Sequence, residues 1–433
     1  MQSNSKANDH SAWKKLTTVL FAAIAAAAVI TSLWLAHTSN YGGHHDIYLM
    51  LGTFLSVLRN GDYVPSRFTG YPVAELGIGA AAWAGGSSLS NTVNYLLFLG
   101  TTLLFPFCFH AKTSLIRYLA FAALALTSTV MAFDNIISID YPWSVFFWVL
   151  GTLCLRRCKQ PIAALVPLGV AIGCRPIFAI FVCASLLLVG PTTSGSEKSL
   201  VSYLLKRLHE RWVSIATTLF IGGLFYLPAW LKHGFGLSWI SASPPDNQGI
   251  AGLVARFGYK LILSTGILQF ALLLCLLLAI LILNQRQKGV NFLLSTSNDN
   301  IFLATIILIN LAIFARMPVQ LSYLQPFLLC VYYLITRLKG SSFAIFSALI
   351  ASLNLFSWIA QPSLLSVKYE SNELCSKTVG SGIAWNPGIG QGRIEQFRHE
   401  SKKSRCYQGW FGQIKGPSYS DAIVSGKPLR TVH

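Results

Sequence analysis

Acidic residues are scarce in this sequence: 433 residues hold 15 Asp and Glu against 33 Lys and Arg, and charged residues make up only 11%. A soluble chain of this length carries about a quarter charged residues, so a pair of ordinary soluble domains is excluded. Other signals are missing too. No CxxC or Cys/His spacing of a metal module occurs, nor a Walker loop or GxSxG elbow, which removes zinc modules, P-loop enzymes and α/β-hydrolases. No internal repeat is evident, and the short alternating segments of a β-barrel are absent.

What is there is apolar. Hydrophobic residues are 53%, and mean hydropathy is +0.55. Repeated runs approach the roughly 20 residues that cross a bilayer, giving an all-α polytopic membrane protein with about eleven transmembrane helices. They fall near residues 16–36, 93–109, 117–133, 142–155, 161–173, 176–190, 212–231, 260–284, 300–315, 318–336 and 341–360. The net charge of +18 is spread over short loops and the tail, with no aromatic-lined soluble domain. Orientation and contact with anionic membrane lipids account for it; a nucleic-acid partner is not expected.

Residues 1–15 end in Lys14-Lys15, and the run Leu16 to Ala36 is longer than a signal-peptide core, so a retained first span is expected. Alternate connections differ in charge. One set, from Lys14-Lys15 to Arg337 and Lys339, holds 15 Lys and Arg against 7 in the opposite short loops, which makes it the cytoplasmic set. The core then spans 16–360, residues 37–92 form the first extracytoplasmic loop, and the tail 361–433 faces the same way. The expected location is a bacterial inner or plasma membrane, with the site facing the periplasm or cell exterior. The run 161–190 is interrupted by Gly173-Cys174-Arg175-Pro176. One straight helix there would be about 45 Å long against a core of about 30 Å, so two short helices broken near Arg175 are expected. The stretch 193–211 is polar and then amphipathic, which predicts a helix lying on the cytoplasmic surface with His209 and Glu210 solvated. In the tail, Cys375 and Cys406 leave a disulfide open, and the segment from Trp385 to Trp410 can close over a site or act as a flexible linker.

The topology places most chemistry-bearing residues on one face. The stretch HHDIYLMLGTFLSVLRNGDYVPSRFTGYPVAEL, His44 to Leu76, holds Asp46, Asp62, Arg67 and Glu75. FDNIISIDYPW adds Asp134 and Asp140, SASPPDNQ adds Asp246, and ARMPVQLSYLQP adds Arg316, with Arg175 deeper. A charge beside a span is costly and marks a cavity, which favours function for Asp46 and Asp140 and plain solvation for Asp62 and Asp246.

GDYVPSRFTGYPVAEL resembles the first extracytoplasmic loop of the C-type (GT-C) glycosyltransferases, the polytopic enzymes that take sugar from a polyprenyl phosphate, such as protein mannosyltransferases and lipid A aminoarabinose transferases. Asp46 matches the acid after the first span. Gly61-Asp62-Tyr63, Arg67, Gly70 and Glu75 match the rest of the loop. SIDYPWSVFF is similar to a later motif through Asp140, and MPVQLSYLQP resembles the late span. The likeness covers about residues 12–360. Two departures stand: His44-His45 precede Asp46 where many members have a second acid, and a short tail replaces the large soluble domain of some members.

The resemblance implies transfer from a polyprenyl-phosphate sugar donor to a lipid, glycan or protein acceptor, with inversion at the anomeric carbon. It implies Asp46 as general base, with Glu75 and Asp140 completing the catalytic acids. Arg316, Arg175 and Arg67 are the expected donor-phosphate ligands, because a guanidinium fork suits phosphate. His45, Tyr71, Asp134 and Tyr323 are assigned to the acceptor or sugar. No cofactor is required; a divalent cation on His44, His45 and Glu75 is possible chemistry for those ligands. Three other readings stay open: a secondary transporter or lipid flippase, a non-catalytic assembly factor, and a ligase or polymerase of lipid-linked glycans.

Overall fold

The computed structural model describes residues 2–41, 45–67, 70–109, 113–158, 162–189, 200–234, 249–266, 268–275, 298–316, 321–338, 342–362, 366–368, 382–384, 389–391, 393–402, 427 and 429–431. His44, Asp246, Cys375, Cys406 and residues 317–320 lie outside the described residues, as does most of 385–410.

The described fold is helical. Helix α1 covers Gln2–Thr38, α2 His45–Asn60 and α3 Pro72–Leu104, which runs on into a 3-10 turn at Phe105–Cys108. Then come α4 (Leu115–Thr127), α5 (Thr129–Asn135), α6 (Tyr141–Arg157), α7 (Ile162–Cys174) and α8 (Phe178–Leu188). They are followed by α9 (Leu200–Leu224), α10 (Leu227–His233), α11 (Gly249–Thr265) and α12 (Asn298–Arg316). A 3-10 turn at Leu321–Leu324 leads into α13 (Gln325–Thr336), and α14 covers Ser342–Ile359.

Four helices are long and apolar enough to cross a membrane, and a fifth crossing is counted if α4 and α5, bent by 65°, form one broken span. The pattern of α1 shows why. Phe21, Ala25, Ala28, Ser32 and Leu35 are buried at helical spacing, while Leu16, Val19, Leu20, Ile30 and Trp34 are exposed. An apolar surface on the outer face as well as the inner one suits lipid and not water. The bend after α4 is stabilised from outside. Trp358 Nε1 donates to the Thr127 carbonyl at 2.9 Å, and Asn354 donates to Thr127 Oγ1 at 3.2 Å.

The centre is aromatic. Phe109 stacks on Tyr333 at 4.2 Å between ring centroids, and Phe105 stacks on Phe121 at 5.8 Å. Trp148 of α6 closes the cluster beside Phe105, 6.4 Å away. Helix α6 is the axis of this region: it packs on α3, α7 and α8.

Three expectations meet the structure differently. The expected break near Arg175 is present, between α7 and α8. Residues 37–92 are not an open loop: they contain α2 and more than half of α3. The amphipathic stretch before Arg211 is not a separate surface helix, since α9 runs unbroken from Leu200 to Leu224. In the tail, β1 (Ala360–Pro362) pairs antiparallel with β4 (Ile389–Gln391), and β2 (Ser366–Lys368) pairs with β3 (Gly382–Ala384). Helix α15 (Arg393–Lys402) then docks on the core. Phe397 is buried against Phe133, 5.6 Å between centroids, and Arg398 lies 4.6 Å from the Trp34 ring. At these residues the tail is a packed element and not a linker.

Candidate functional site

Helices α2, α3 and α6 present their N-termini to one cluster, and each carries an acid there. Asp46 is in the first turn of α2, Glu75 in the first turn of α3, and Asp140 is the N-cap residue of α6. The partial positive charge of a helix N-terminus favours carboxylates at these positions.

The turn between α2 and α3 is built around Glu75. Gly61 ends α2 with φ of +65°, and its N–H donates to the Val57 carbonyl at 3.0 Å, the left-handed cap that glycine suits. Gly70 has φ of +74°, and a Cβ there would collide with the Tyr63 hydroxyl, so glycine is required twice over. The Tyr63 hydroxyl donates to one oxygen of Glu75, and Ser66 donates to the other through its hydroxyl and through its N–H, the latter at 3.1 Å. Glu75 is fully buried with both oxygens occupied, which makes it the brace of the turn. Burial, and then the Glu75 charge, push the Tyr63 phenol above its ordinary range.

The turn delivers Arg67 to Asp46, and the two form an ion pair. Both remain reachable: the Arg67 side chain is 26% exposed and that of Asp46 13%. Tyr71, the residue before α3, lies between two guanidiniums. Arg67 is 5.6 Å from its ring centroid and Arg175 is 4.9 Å from it.

Arg175 occupies the α7–α8 break and is buried in a cage of three tyrosines. Its guanidinium lies 3.7 Å from the Tyr141 ring, 4.9 Å from Tyr71 and 5.1 Å from Tyr323. Tyr141 and Tyr323 meet edge to face at 5.2 Å. Arg175 Nε faces Asp140 Oδ2 at 2.8 Å. The angle is too poor for a hydrogen bond to that oxygen, and Nη1 also lacks a hydrogen-bond partner among the described residues. The pair is therefore a charge contact supported by ring faces.

Asp140 is held in place from α3. Asn94 donates to the carbonyls of Ile137 and Ile139 at 2.6 and 2.7 Å and accepts from Trp143 Nε1 at 2.7 Å. Ser138 donates to Asn91 Oδ1 at 2.7 Å. One helix face thus fixes the 136–139 turn and the acid that follows it. Nearby, Ser322 donates to Asp134 Oδ2 at 2.7 Å, which anchors the turn that carries Tyr323.

A groove of about 840 Å³ runs alongside, lined by Val57, Val73, Leu76, Phe225, Pro228 and Leu231. Tyr63 reaches its wall, and the Lys232–Asp62 ion pair sits on its polar rim.

The described contacts bring together Asp46, Arg67, Tyr71, Glu75, Asp140, Arg175 and Tyr323, with Asp134 one residue from Tyr323 through Ser322. Arg316 is exposed at the end of α12, in a different environment from the buried Arg175. The His45 side chain is outside the described residues. Among the described residues, no three His, Cys, Asp or Glu side chains come close enough to hold a metal ion. Four participants were not assigned from the sequence: Tyr63, Ser66, Tyr141 and Asn94. Asn94 had a signal. With Asn91 it puts two amides one turn apart in an apolar helix, where polar side chains act as interhelical glue. Asp62 was expected to be solvated; it is partly exposed and pairs with Lys232. No family model, no curated protein and no solved structure matches the chain.

Proposed function

We propose that this chain is an integral membrane glycosyltransferase of the C type, with about eleven crossings, using a polyprenyl-phosphate sugar on the extracytoplasmic face. The observation that carries the reading is the convergence of Asp46, Glu75 and Asp140 from three distant segments onto one end of the bundle, with two arginines and beside an apolar groove. The topology from loop charge puts that end outside, and the basic residues Arg117, Arg156 and Arg337 gather on contacts at the other end.

Exposure divides the roles. Glu75 and Asp140 are buried and committed to protein partners. Asp46 retains exposed surface and is the acid left to meet substrate. Its partner Arg67 is one of the expected phosphate ligands. An arriving donor phosphate draws Arg67 from Asp46 and frees the carboxylate. The acceptor hydroxyl then attacks the anomeric carbon and gives its proton to Asp46, as the bond from that carbon to the phosphate oxygen breaks. The electron pair leaves with the polyprenyl phosphate, whose charge Arg67 stabilises. Attack opposite the leaving group inverts the centre. The groove suits the isoprenoid chain, because its lining is apolar and its rim charged.

A second reading rests on the α7–α8 break around a buried Arg–Asp pair. Secondary transporters build their sites from interrupted helices of this kind. One experiment separates the two. Membranes with and without the protein are given polyprenyl-phosphate donors carrying labelled sugars. Label appearing in a lipid, glycan or protein product, with inverted anomeric configuration, supports transfer. Absence of transfer with every donor, together with flux of lipid or solute across proteoliposomes, puts the transporter reading first.

A further inference from the structure

Helix α11 carries Arg256 and Lys260 one turn apart. Like charges at this spacing repel, which costs stability unless an anion lies between them. The same helix packs on α5 and on the Leu321–Leu324 turn, so this face looks toward Asp134. The tail adds a third cation. Arg393 opens α15 with its guanidinium 5.8 Å from the Phe133 ring, and buried Phe397 anchors that helix on the same ring. Lys260 lies within electrostatic reach of Arg256, Arg393 and Asp134 together. All four side chains are half-buried, which leaves them accessible but only partly screened by water.

Three cations therefore face one carboxylate, and that carboxylate already accepts a hydrogen bond from Ser322. The excess charge is positive, and two of the three donors are guanidiniums, the group that matches phosphate oxygens in a fork. We propose that Arg256, Lys260 and Arg393, around Asp134, form a phosphate-binding site between α11, α5 and the tail helix. It is distinct from the Arg175 cage, on the other side of the turn that carries Ser322 and Tyr323. Its ligand is a phosphate monoester, as a lipid headgroup or free. The inference does not depend on glycosyl transfer. It gives the docked tail a purpose, since Arg393 completes the site.

The test is equilibrium binding to the purified full chain of two probes, inorganic phosphate and phosphatidic acid in phosphatidylcholine nanodiscs. The triple variant R256Q/K260Q/R393Q should bind at least about tenfold more weakly, the scale of lost charge-assisted hydrogen bonds. R398Q, on the same tail helix but over Trp34, should bind like wild type. Asp134→Asn should bind more tightly, because it removes the one negative charge and keeps an acceptor for Ser322. Binding of phosphatidic acid alone identifies a headgroup site; binding of both probes identifies the phosphate itself. Equal binding by wild type and the triple variant, or no binding of either probe by wild type, overturns the proposal. If the triple variant does not fold, Asp134→Asn decides: unchanged or weaker binding overturns it.

Discussion

At the N-terminal end of α6, Asp140 meets Arg175 at 2.8 Å; at its C-terminal end, Arg156 meets Asp299 at 2.6 Å. The ends are about 24 Å apart along the helix. Both pairs are buried, and in each the arginine Nη1 has no hydrogen-bond partner among the described residues. Their surroundings differ. Arg156 also donates to the Cys108 carbonyl at 3.0 Å, and Arg337 beside it donates to Asn300 at 2.8 Å. That end is a clamp between α6, α12 and the turn after α3, made to backbone and to helix starts. At the other end the arginine is enclosed by tyrosine rings, and the chain of contacts continues through Tyr71 to a partly exposed Arg67–Asp46 pair. A buried ion pair alone therefore does not mark function. What marks it is a path from the buried pair to an accessible one.

The largest expected effect treats the two pairs alike. Removing one partner leaves a buried charge alone, so Asp140→Ala and Asp299→Ala should each cost about 3–5 kcal/mol, read as thermal stability in detergent. Their effect on transfer per folded molecule should separate them: Asp140→Ala lowers it and Asp299→Ala does not. Equal loss in both would break the comparison.

Tyr63→Phe removes one donor from buried Glu75 and should cost about 1–3 kcal/mol. It also changes the pH profile. The Tyr63 pKa is raised in the folded chain, so above about pH 10 the unfolded chain gives up a proton that the folded one keeps. Wild-type stability should fall as pH rises through that value, and the fall should be shallower in Tyr63→Phe. A profile identical in both would remove Tyr63 from the brace.

Gly70→Ala forces a Cβ into the left-handed region and against the Tyr63 hydroxyl, at a cost of about 1–2 kcal/mol from the backbone alone. It should loosen the Arg67–Asp46 pair and weaken donor binding, measured as a rise in KM. The smallest effect is expected on the groove rim. Lys232 and Asp62 are 43% and 42% exposed, so Lys232→Gln should shift stability by less than about 1 kcal/mol.

The sequence exposed some of this and hid the rest. The α7–α8 break was legible because Gly173, Arg175 and Pro176 interrupt an apolar run too long for one straight crossing. Helix α2 was hidden in the supposed loop. At 16 residues it is too short for a span, and a hydropathy window passes over it. Its buried residues Ile47, Leu51 and Leu55 nevertheless repeat every four positions, a helical signal. Pro72 likewise marked the start of α3 well before the run at 93. The acids Asp46, Glu75 and Asp140 were recognisable as candidates by their places beside apolar segments. Their partners were not. That Arg67 goes to Asp46 and Arg175 to Asp140 depends on how α2, α3, α6 and the break pack, and pairings across such separations carry no local pattern. The same holds for Glu75: nothing in its sequence neighbourhood distinguishes a structural brace from a catalytic acid.

The most direct measurement is sugar transfer from a polyprenyl-phosphate donor by wild type and Asp46→Asn at equal amounts of folded protein. Asparagine keeps size and polarity and removes the base. The account predicts a fall of about 10²- to 10⁴-fold with unchanged thermal stability within about 1 kcal/mol. Equal transfer by both proteins would contradict it, and would remove Asp46 as the base on which the mechanism turns.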